Sequence, residues 1–66
     1  MSIVSDDDII MYARGLLGRQ GRRALDYAKD QSQRLAALND SDGAHVWERV
    51  AEAVEGQMQG QQGQQA

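Results

Sequence analysis

The sequence predicts an all-α protein: a small three-helix bundle over residues 1–56, followed by a disordered Gln/Gly-rich tail over residues 57–66. In three successive segments, apolar residues recur at the three- and four-residue spacings of amphipathic helices. The chain contains no proline, and clusters of glycine and short polar residues separate the segments. The tail is almost entirely glutamine and glycine, which bury too little apolar area to fold alone.

The first helix is predicted to begin near residue 6. Ser5 is a suitable cap, because its hydroxyl can accept a hydrogen bond from a free amide of the first turn. Acidic residues follow where the helix dipole favours negative charge, and Val4 and Ile9 have the spacing of a hydrophobic staple. These first-turn residues are Asp6, Asp7 and Asp8.

One side of the first helix is predicted to face the core, and Met11 lies on the opposite side. The apolar side consists of Ile9, Ile10, Ala13, Leu16 and Leu17. We expect the helix to end within residues 17–21, since glycine accepts the left-handed backbone found at helix ends. Gly15 costs about 1 kcal/mol relative to alanine inside a helix, so we expect it to mark a close approach between helices.

The second helix is predicted over about residues 22–38. Gln31 and Ser32 interrupt its apolar face, and its outer face carries charges of both signs. The apolar face consists of Ala24, Leu25, Ala28, Leu35 and Leu38. Residues 39–43 are rich in residues that cap helices or tolerate unusual backbone angles, so they are expected to close the second helix and open the third.

The third helix carries the only tryptophan, and its two faces differ sharply. Its apolar arc holds Val46, Trp47, Val50, Ala51 and Val54, whereas Glu48, Glu52 and Glu55 share the opposite arc. Gly56 is predicted to end it. The alternative is that residues 57–59 continue the helix and the tail becomes ordered against a partner.

The size and composition of the chain predict a fold that needs an additional source of stability. A chain of 66 residues is near the limit at which one core offsets the entropy of folding, and small domains usually add disulfides, metals or oligomerisation. Without cysteine, neither disulfides nor thiolate metal sites can form, which leaves a partner. No signal-like or membrane-spanning segment is evident, so we expect a soluble cytoplasmic protein with no membrane insertion.

The residues that could carry chemistry do not form a catalytic, cofactor-binding or metal site. His45 is the only histidine, and it lacks a second ligand or base at a suitable spacing, so it is interpreted as a surface residue near a helix cap. Asp40 and Asp42 are interpreted as capping residues, because the later ligands of a calcium loop are missing. We therefore expect no enzyme activity and no cofactor.

A basic cluster surrounds the first helix connection: Arg14, Arg19, Arg22 and Arg23. Two helices joined by a short glycine turn resemble a helix-turn-helix. However, the exposed face of the second helix mixes acidic and basic residues, and the net charge of the chain is -3. Both observations disfavour nucleic acid and favour an anionic protein surface as the ligand of these arginines.

Trp47, Tyr12, Tyr27 and Met11 form the second group of candidate contacts. Tryptophan and tyrosine bury large areas in cores and also dominate binding hot spots. The pattern favours a core position for Trp47 and an interface position for Met11, which lies opposite the apolar stripe of its helix.

The progression of the three helices also resembles a family of short, uncharacterised alphaproteobacterial helical proteins, over residues 8–56. The match includes the C-terminal helix pattern Val-Trp-x-Arg-(Ile/Val)-x-x-Ala-(Ile/Val)-Glu, at Val46, Trp47, Arg49, Val50, Ala53, Val54 and Glu55. Gln20 stands where the family carries histidine before Gly21, and the Gln/Gly tail is not part of the pattern. The resemblance implies a compact helical fold and a bacterial source, but no activity.

Taken together, these patterns predict a non-catalytic protein-binding module, most simply a small accessory subunit or regulator seated on a larger protein complex. A homo-oligomer is the other form of partner expected. The alternative function is a helix-turn-helix-like nucleic-acid-binding regulator that uses the arginine cluster. The predicted partner-binding residues are Met11, Arg14, Arg19, Arg22, Arg23 and Trp47.

Overall fold

A computed structural model describes the backbone of residues 5–63 and the side chains of residues 5–59. It contains three α-helices: α1 (Asp6–Gln20), α2 (Arg23–Ala37) and α3 (Ser41–Gly63). No strand occurs between residues 5 and 63, so the all-α three-helix prediction is confirmed. α3 packs most extensively against α2 and less against α1, and α1 and α2 contact each other least. α1 is therefore the least covered helix.

The predicted ends of α1 are largely confirmed. Ser5 is in an extended conformation, and its hydroxyl accepts a 3.2 Å hydrogen bond from the backbone N–H of Asp8. At the other end, Gly21 has a φ of 60°, and its N–H donates to the carbonyl of Leu17 at 2.7 Å. Gly18, by contrast, lies inside the helix. Val4 lies outside the described residues, so the staple stays a prediction.

The polar residues and the glycine of the connection between α2 and α3 each have a structural role. Asn39 takes the left-handed conformation, with a φ of 65°. Asp40 caps α3, because its carboxylate accepts a 3.0 Å hydrogen bond from the N–H of Gly43. A Cβ atom at Gly43 would lie 2.8 Å from that carboxylate and 3.0 Å from Leu35 Cδ1, so the glycine permits this tight turn.

The core lies where the three apolar faces meet, and it consists of small and branched side chains: Ile9, Ala13, Leu16, Ala24, Ala28, Val50, Ala51 and Val54. Partly buried residues surround it: Leu17, Leu25, Val46, Trp47, Ala53 and Met58. The predicted apolar arc of α3 is thus confirmed, and Glu48, Glu52 and Glu55 are exposed as expected.

Two residues assigned to apolar faces are instead exposed. Ile10 is 44% exposed, because it lies roughly 100° around α1 from Ile9, away from the arc of buried residues. Leu38 is 74% exposed. It follows the last residue of α2 in a cap conformation, with φ -90° and ψ 8°, so it leaves the helical register that would have directed it inward.

Ser32, predicted to interrupt the apolar face of α2, is buried in the contact between α2 and α3. Its hydroxyl donates a 3.0 Å hydrogen bond to the carbonyl oxygen of Ala44. The bond satisfies the polar group, and the small side chain allows the helices to approach. Ser32 thus continues the line of small buried residues that begins with Ala24 and Ala28.

The predicted end of α3 at Gly56 is wrong, because the helix continues through Gly63. Met58 packs against the core, and the Gln57 amide donates to the Ile10 carbonyl at 3.3 Å. These contacts, together with the good helix propensity of glutamine, compensate for Gly56. The predicted alternative that residues 57–59 continue the helix is therefore confirmed, and the ordering of the tail against a partner stays a prediction. The helical backbone extends through residue 63, and residues 64–66 lie outside the described part of the chain.

The close approach between helices predicted at Gly15 is also wrong within this chain: no atom lies within 4 Å of the position that its Cβ would occupy.

None of the helices between residues 5 and 63 has the length and apolar character needed to cross a membrane.

Candidate protein-binding surface

Each helix contributes one ring to an aromatic cluster centred on Trp47. The Tyr12 ring from α1 meets the indole edge to face, with centroids 5.6 Å apart and planes at 79°. The Tyr27 ring from α2 does the same at 5.7 Å and 80°. Trp47 is half-buried against the core, whereas the tyrosines are 43% and 38% exposed. The cluster therefore joins the core to the surface.

Few of the large apolar side chains are fully buried. Among residues 5–59, the largest fully buried side chains are Leu16 and Val54, and most other core positions are alanine. The larger apolar side chains lie outside: Ile10 (44% exposed), Met11 (70%), Tyr12 (43%), Tyr27 (38%) and Leu38 (74%). Single exposed apolar residues are ordinary, but Ile10, Met11 and Tyr12 are consecutive.

Met11 faces away from the bundle, and Ile10 and Tyr12 lie on either side of it, with the Tyr12 ring against Trp47. Each residue turns the helix by roughly 100°, so Ile10, Met11 and Tyr12 together span the outward half while Ile9 points inward. The second turn of α1 is consequently apolar on all sides, a pattern typical of a covered helix. We call the surface formed by Ile10, Met11, Tyr12, Arg14, Gly15, Gly18 and Arg19 the α1 outer face.

Two glycines lie on the α1 outer face. Gly15 and Gly18 follow Met11 by four and seven residues, so they lie on the same side of the helix. A Cβ atom at either position would meet no other atom within 4 Å. Both positions are thus uncovered by the described part of the chain.

The four predicted arginines lie between the middle of α1 and the first residue of α2. Arg14 and Arg19 belong to α1, Arg22 precedes α2, and Arg23 is its first residue; all four are exposed. Residues 14–23 hold four of the seven basic residues and no acidic residue. The structure therefore places Met11, Arg14 and Arg19 on one helix face. Trp47 is connected to that face through the ring of Tyr12.

The exposed side of α2 differs from a nucleic-acid-reading helix. Arg34 donates a 2.8 Å hydrogen bond to the Asp30 carboxylate, so this cation of α2 is paired within the helix. Asp26 adds another exposed negative charge. Phosphate contacts along this helix would have to overcome both carboxylates.

His45 is an exposed residue in the first turns of α3. Its Nδ1 lies 3.7 Å from the Glu48 carboxylate, and both side chains are largely solvent-exposed. The described residues contain no group of three or more histidine, cysteine or acidic side chains arranged to hold a metal ion. Two open surface grooves flank this part of α3, one beside His45 and one beside Glu52. The first groove is lined by Ser41, His45 and Glu48 among other residues, and the second by Lys29, Glu52 and Glu55 among others.

The exposure of Ile10 was not predicted, although the sequence indicates that one residue of this run must face outward. The run from Ile9 to Tyr12 is four consecutive apolar residues, and a helix cannot direct four consecutive side chains to one side. At least one of them had to face outward. The same reasoning explains why Tyr12 lies beside Met11 at the surface while its ring reaches Trp47.

No protein-family model, curated protein or solved structure matches the chain. The resemblance to the alphaproteobacterial family therefore stays a prediction from the residues alone.

Proposed function

We propose that this chain is a non-catalytic protein-binding module, a small accessory subunit or regulator that docks on a larger protein through the α1 outer face. The observation that carries the proposal is the apolar second turn of α1, with Ile10, Met11 and Tyr12 at 44%, 70% and 43% exposure above an alanine-rich core. Covering these side chains removes apolar area from water, and a partner that binds only the folded state stabilises it.

The composition of the surface supports this function. Tyrosine, tryptophan, methionine and arginine are the residues enriched in protein interfaces and in their binding hot spots. The α1 outer face contains Met11, Tyr12 and two arginines, and Trp47 supports Tyr12 from below. Because Trp47 is half-buried in the core, its proposed contribution to binding is to position Tyr12 and to present its own exposed edge. The lack of cysteine is compatible with a cytoplasmic location.

Substitution of Met11 tests the proposal. Tagged full-length chains carrying Met11→Glu or Gln33→Glu are expressed at the natural level and purified from the protein's own cells. Both positions are exposed and both substitutions add one negative charge. We expect Met11→Glu to reduce the amount of co-purifying protein at least tenfold and Gln33→Glu to leave it unchanged. Equal recovery with both variants, or a wild-type chain that purifies alone as a stable monomer, would overturn the proposal.

The nucleic-acid alternative has less support, since the described exposed face of α2 carries Asp26 and Asp30 among its basic residues. Its test is a titration of the pure chain with labelled duplex DNA at several salt concentrations. Phosphate-driven binding by the arginine cluster requires an affinity that falls steeply as salt increases.

A further inference from the structure

We infer that, in the absence of a larger protein, two copies of this chain cover each other's α1 outer face by packing their α1 helices side by side in opposite directions. The homodimer itself goes beyond the proposed function. That it competes with a larger protein for the same surface rests on the proposed function.

The outward side of α1 changes its charge along the helix. Asp7 and Asp8 lie on this side in the first turn. Met11 follows about one turn later, and Arg19 lies two turns beyond Met11, near the end of the helix. All four residues are exposed. From its N-terminal to its C-terminal end, this side of α1 is therefore acidic, then apolar, then basic.

The charges at the two ends of this side are not neutralised within the bundle. Asp6, the other acidic residue of the first turn, pairs with Arg49 of α3. None of the ion pairs in the described part of the chain involves Asp7, Asp8 or Arg19. A second molecule with the opposite order of charges can therefore pair with them.

A second copy of α1 that runs in the opposite direction has that order of charges. When Met11 of each copy faces Gly15 of the other, Asp7 of each copy lies opposite Arg19 of the other. Asp8 lies one residue further along and on the same side of the contact as Arg19, so one guanidinium can bind either carboxylate. Twofold symmetry makes this contact twice. A parallel pair would instead place like charges against each other.

The apolar middle of the surface is covered in the same arrangement. Met11 is 70% exposed, more than any other large apolar side chain of α1. Because Gly15 has no side chain, the two helices can approach closely where Met11 of the other copy lies. Ile10 and Tyr12 lie at the two edges of this contact. Pairing therefore removes Met11 and part of its apolar neighbours from water.

Two features keep this dimer weak. The two Arg14 residues lie on one side of the contact, roughly 3 Å apart along the helix axis, so they repel each other. α1 has only 15 residues, and a contact along one such helix is at the small end of stable interfaces. We therefore expect the dimer to form with increasing concentration and to be displaced by a protein that covers a larger area.

Disulfide cross-linking of the pure full-length chain tests the direction of pairing. The sequence contains no cysteine, so Asp8→Cys and Gly18→Cys each introduce one thiol. Positions 8 and 18 face each other between antiparallel copies. Two copies of either variant alone place their thiols roughly 15 Å apart along the axis, which is too far for a disulfide.

In a glutathione redox buffer, we expect a disulfide in the mixture of these two variants and none in either variant alone. Gln33→Cys, at an exposed position of α2, should form no disulfide with either. Cross-linking of each variant with itself would show a parallel pair. That result, or a mixture that forms no disulfide, would overturn the inference.

Charge variants test the same pairing by sedimentation equilibrium, with circular dichroism as the check that each variant is folded. Arg19→Glu should weaken the dimer at least about tenfold, because symmetry places two of these contacts in it. Mixing it with the Asp7→Lys/Asp8→Lys double variant should restore dimerisation, since opposite charges then meet at both ends. Arg14→Gln should strengthen the dimer about threefold by removing a like-charge contact. Equal effects of the Arg14 and Arg19 substitutions would contradict the antiparallel register.

The dimer locked by the disulfide between positions 8 and 18 tests the competition. It should fail to capture the larger protein until the disulfide is reduced, and equal capture by both forms would show that the dimer does not cover the docking surface. A pure wild-type chain that stays monomeric up to millimolar concentration would overturn the homodimer and leave the proposed function standing. Recovery of the dimer alone from cells, with no larger protein, would overturn the proposed function and leave the homodimer standing.

Discussion

The ring of Tyr27 meets the indole of Trp47 edge to face, with centroids 5.7 Å apart and planes at 80°. Trp47 in turn contacts Tyr12 on α1, so the indole joins all three helices at the edge of an alanine-rich core. In a domain with few large buried side chains, this contact should make a measurable contribution to stability.

We predict that Tyr27→Leu lowers the free energy of unfolding by about 1 kcal/mol, the typical contribution of an aromatic pair beyond its area. Tyr27→Phe keeps the ring and serves as the control, with a loss of less than about 0.5 kcal/mol expected for a substitution that changes only the hydroxyl. Urea unfolding followed by Trp47 fluorescence measures both. Equal losses for the two variants would show that the ring contact does not stabilise the fold.

Gly15 and Gly43 should respond oppositely to alanine. Gly15→Ala should increase the free energy of unfolding by about 0.5–1 kcal/mol, because the position is helical and open. At Gly43 the added methyl group would displace the Asp40 carboxylate, and the loss of that cap, about 1 kcal/mol, should cancel or exceed the gain in helix propensity. Thermal unfolding by circular dichroism separates the two. If Gly43→Ala increased the free energy of unfolding as much as Gly15→Ala, the capping role of Asp40 would be contradicted.

The Ser32 hydroxyl should stabilise the contact between α2 and α3. Ser32→Ala removes its bond to Ala44 and should cost about 1 kcal/mol. Ser32→Leu overfills the site and should cost about 1–3 kcal/mol. Gln33→Ala, at the neighbouring exposed position, should stay within about 0.5 kcal/mol of wild type. Urea titrations give these values, and a stabilised Ser32→Leu would show that this site has spare room.

The extension of α3 beyond Gly56 predicts a role for Met58. Met58→Ala should lower the free energy of unfolding by about 1–2 kcal/mol, because the side chain packs against the core. The loss is smaller than for a fully buried methionine, since Met58 is only half-buried. Gln59→Ala is exposed and should have little effect. Amide hydrogen exchange at residues 57–59 checks the helix directly, since unprotected amides there would contradict the extension.

Much of the fold follows from periodicity and capping chemistry. Ser5, Gly21 and Asp40 each act through a local backbone hydrogen bond, so their roles can be recognised from neighbouring residues alone. The apolar arc of α3 was likewise predictable, since Val50 and Val54 repeat at helical spacing.

The errors arose where tertiary contacts decide the outcome. The end of α3 depends on Met58 reaching the core and Gln57 reaching the Ile10 carbonyl, neither of which is visible in local propensity. Leu38 is exposed because α2 ends one residue earlier, and helix boundaries are difficult to place from sequence.

The candidate surface was predictable only in part. Met11 and the arginines could be assigned to the outside from the helical period, but the open space at Gly15 depends on where α2 and α3 lie. The contact of Trp47 with both tyrosines also required the packing of three helices. Sequence thus identified the residue types of the surface, and the structure showed which of them share one face.

Native mass spectrometry of the chain, captured at its natural level from its own cells, shows whether the α1 outer face binds a larger protein. We predict a stoichiometric complex with such a protein, and loss of that complex when Met11 is replaced by glutamate but not when Gln33 is. A wild-type chain recovered only as a free monomer would contradict the claim that the exposed face of α1 is a protein-binding surface.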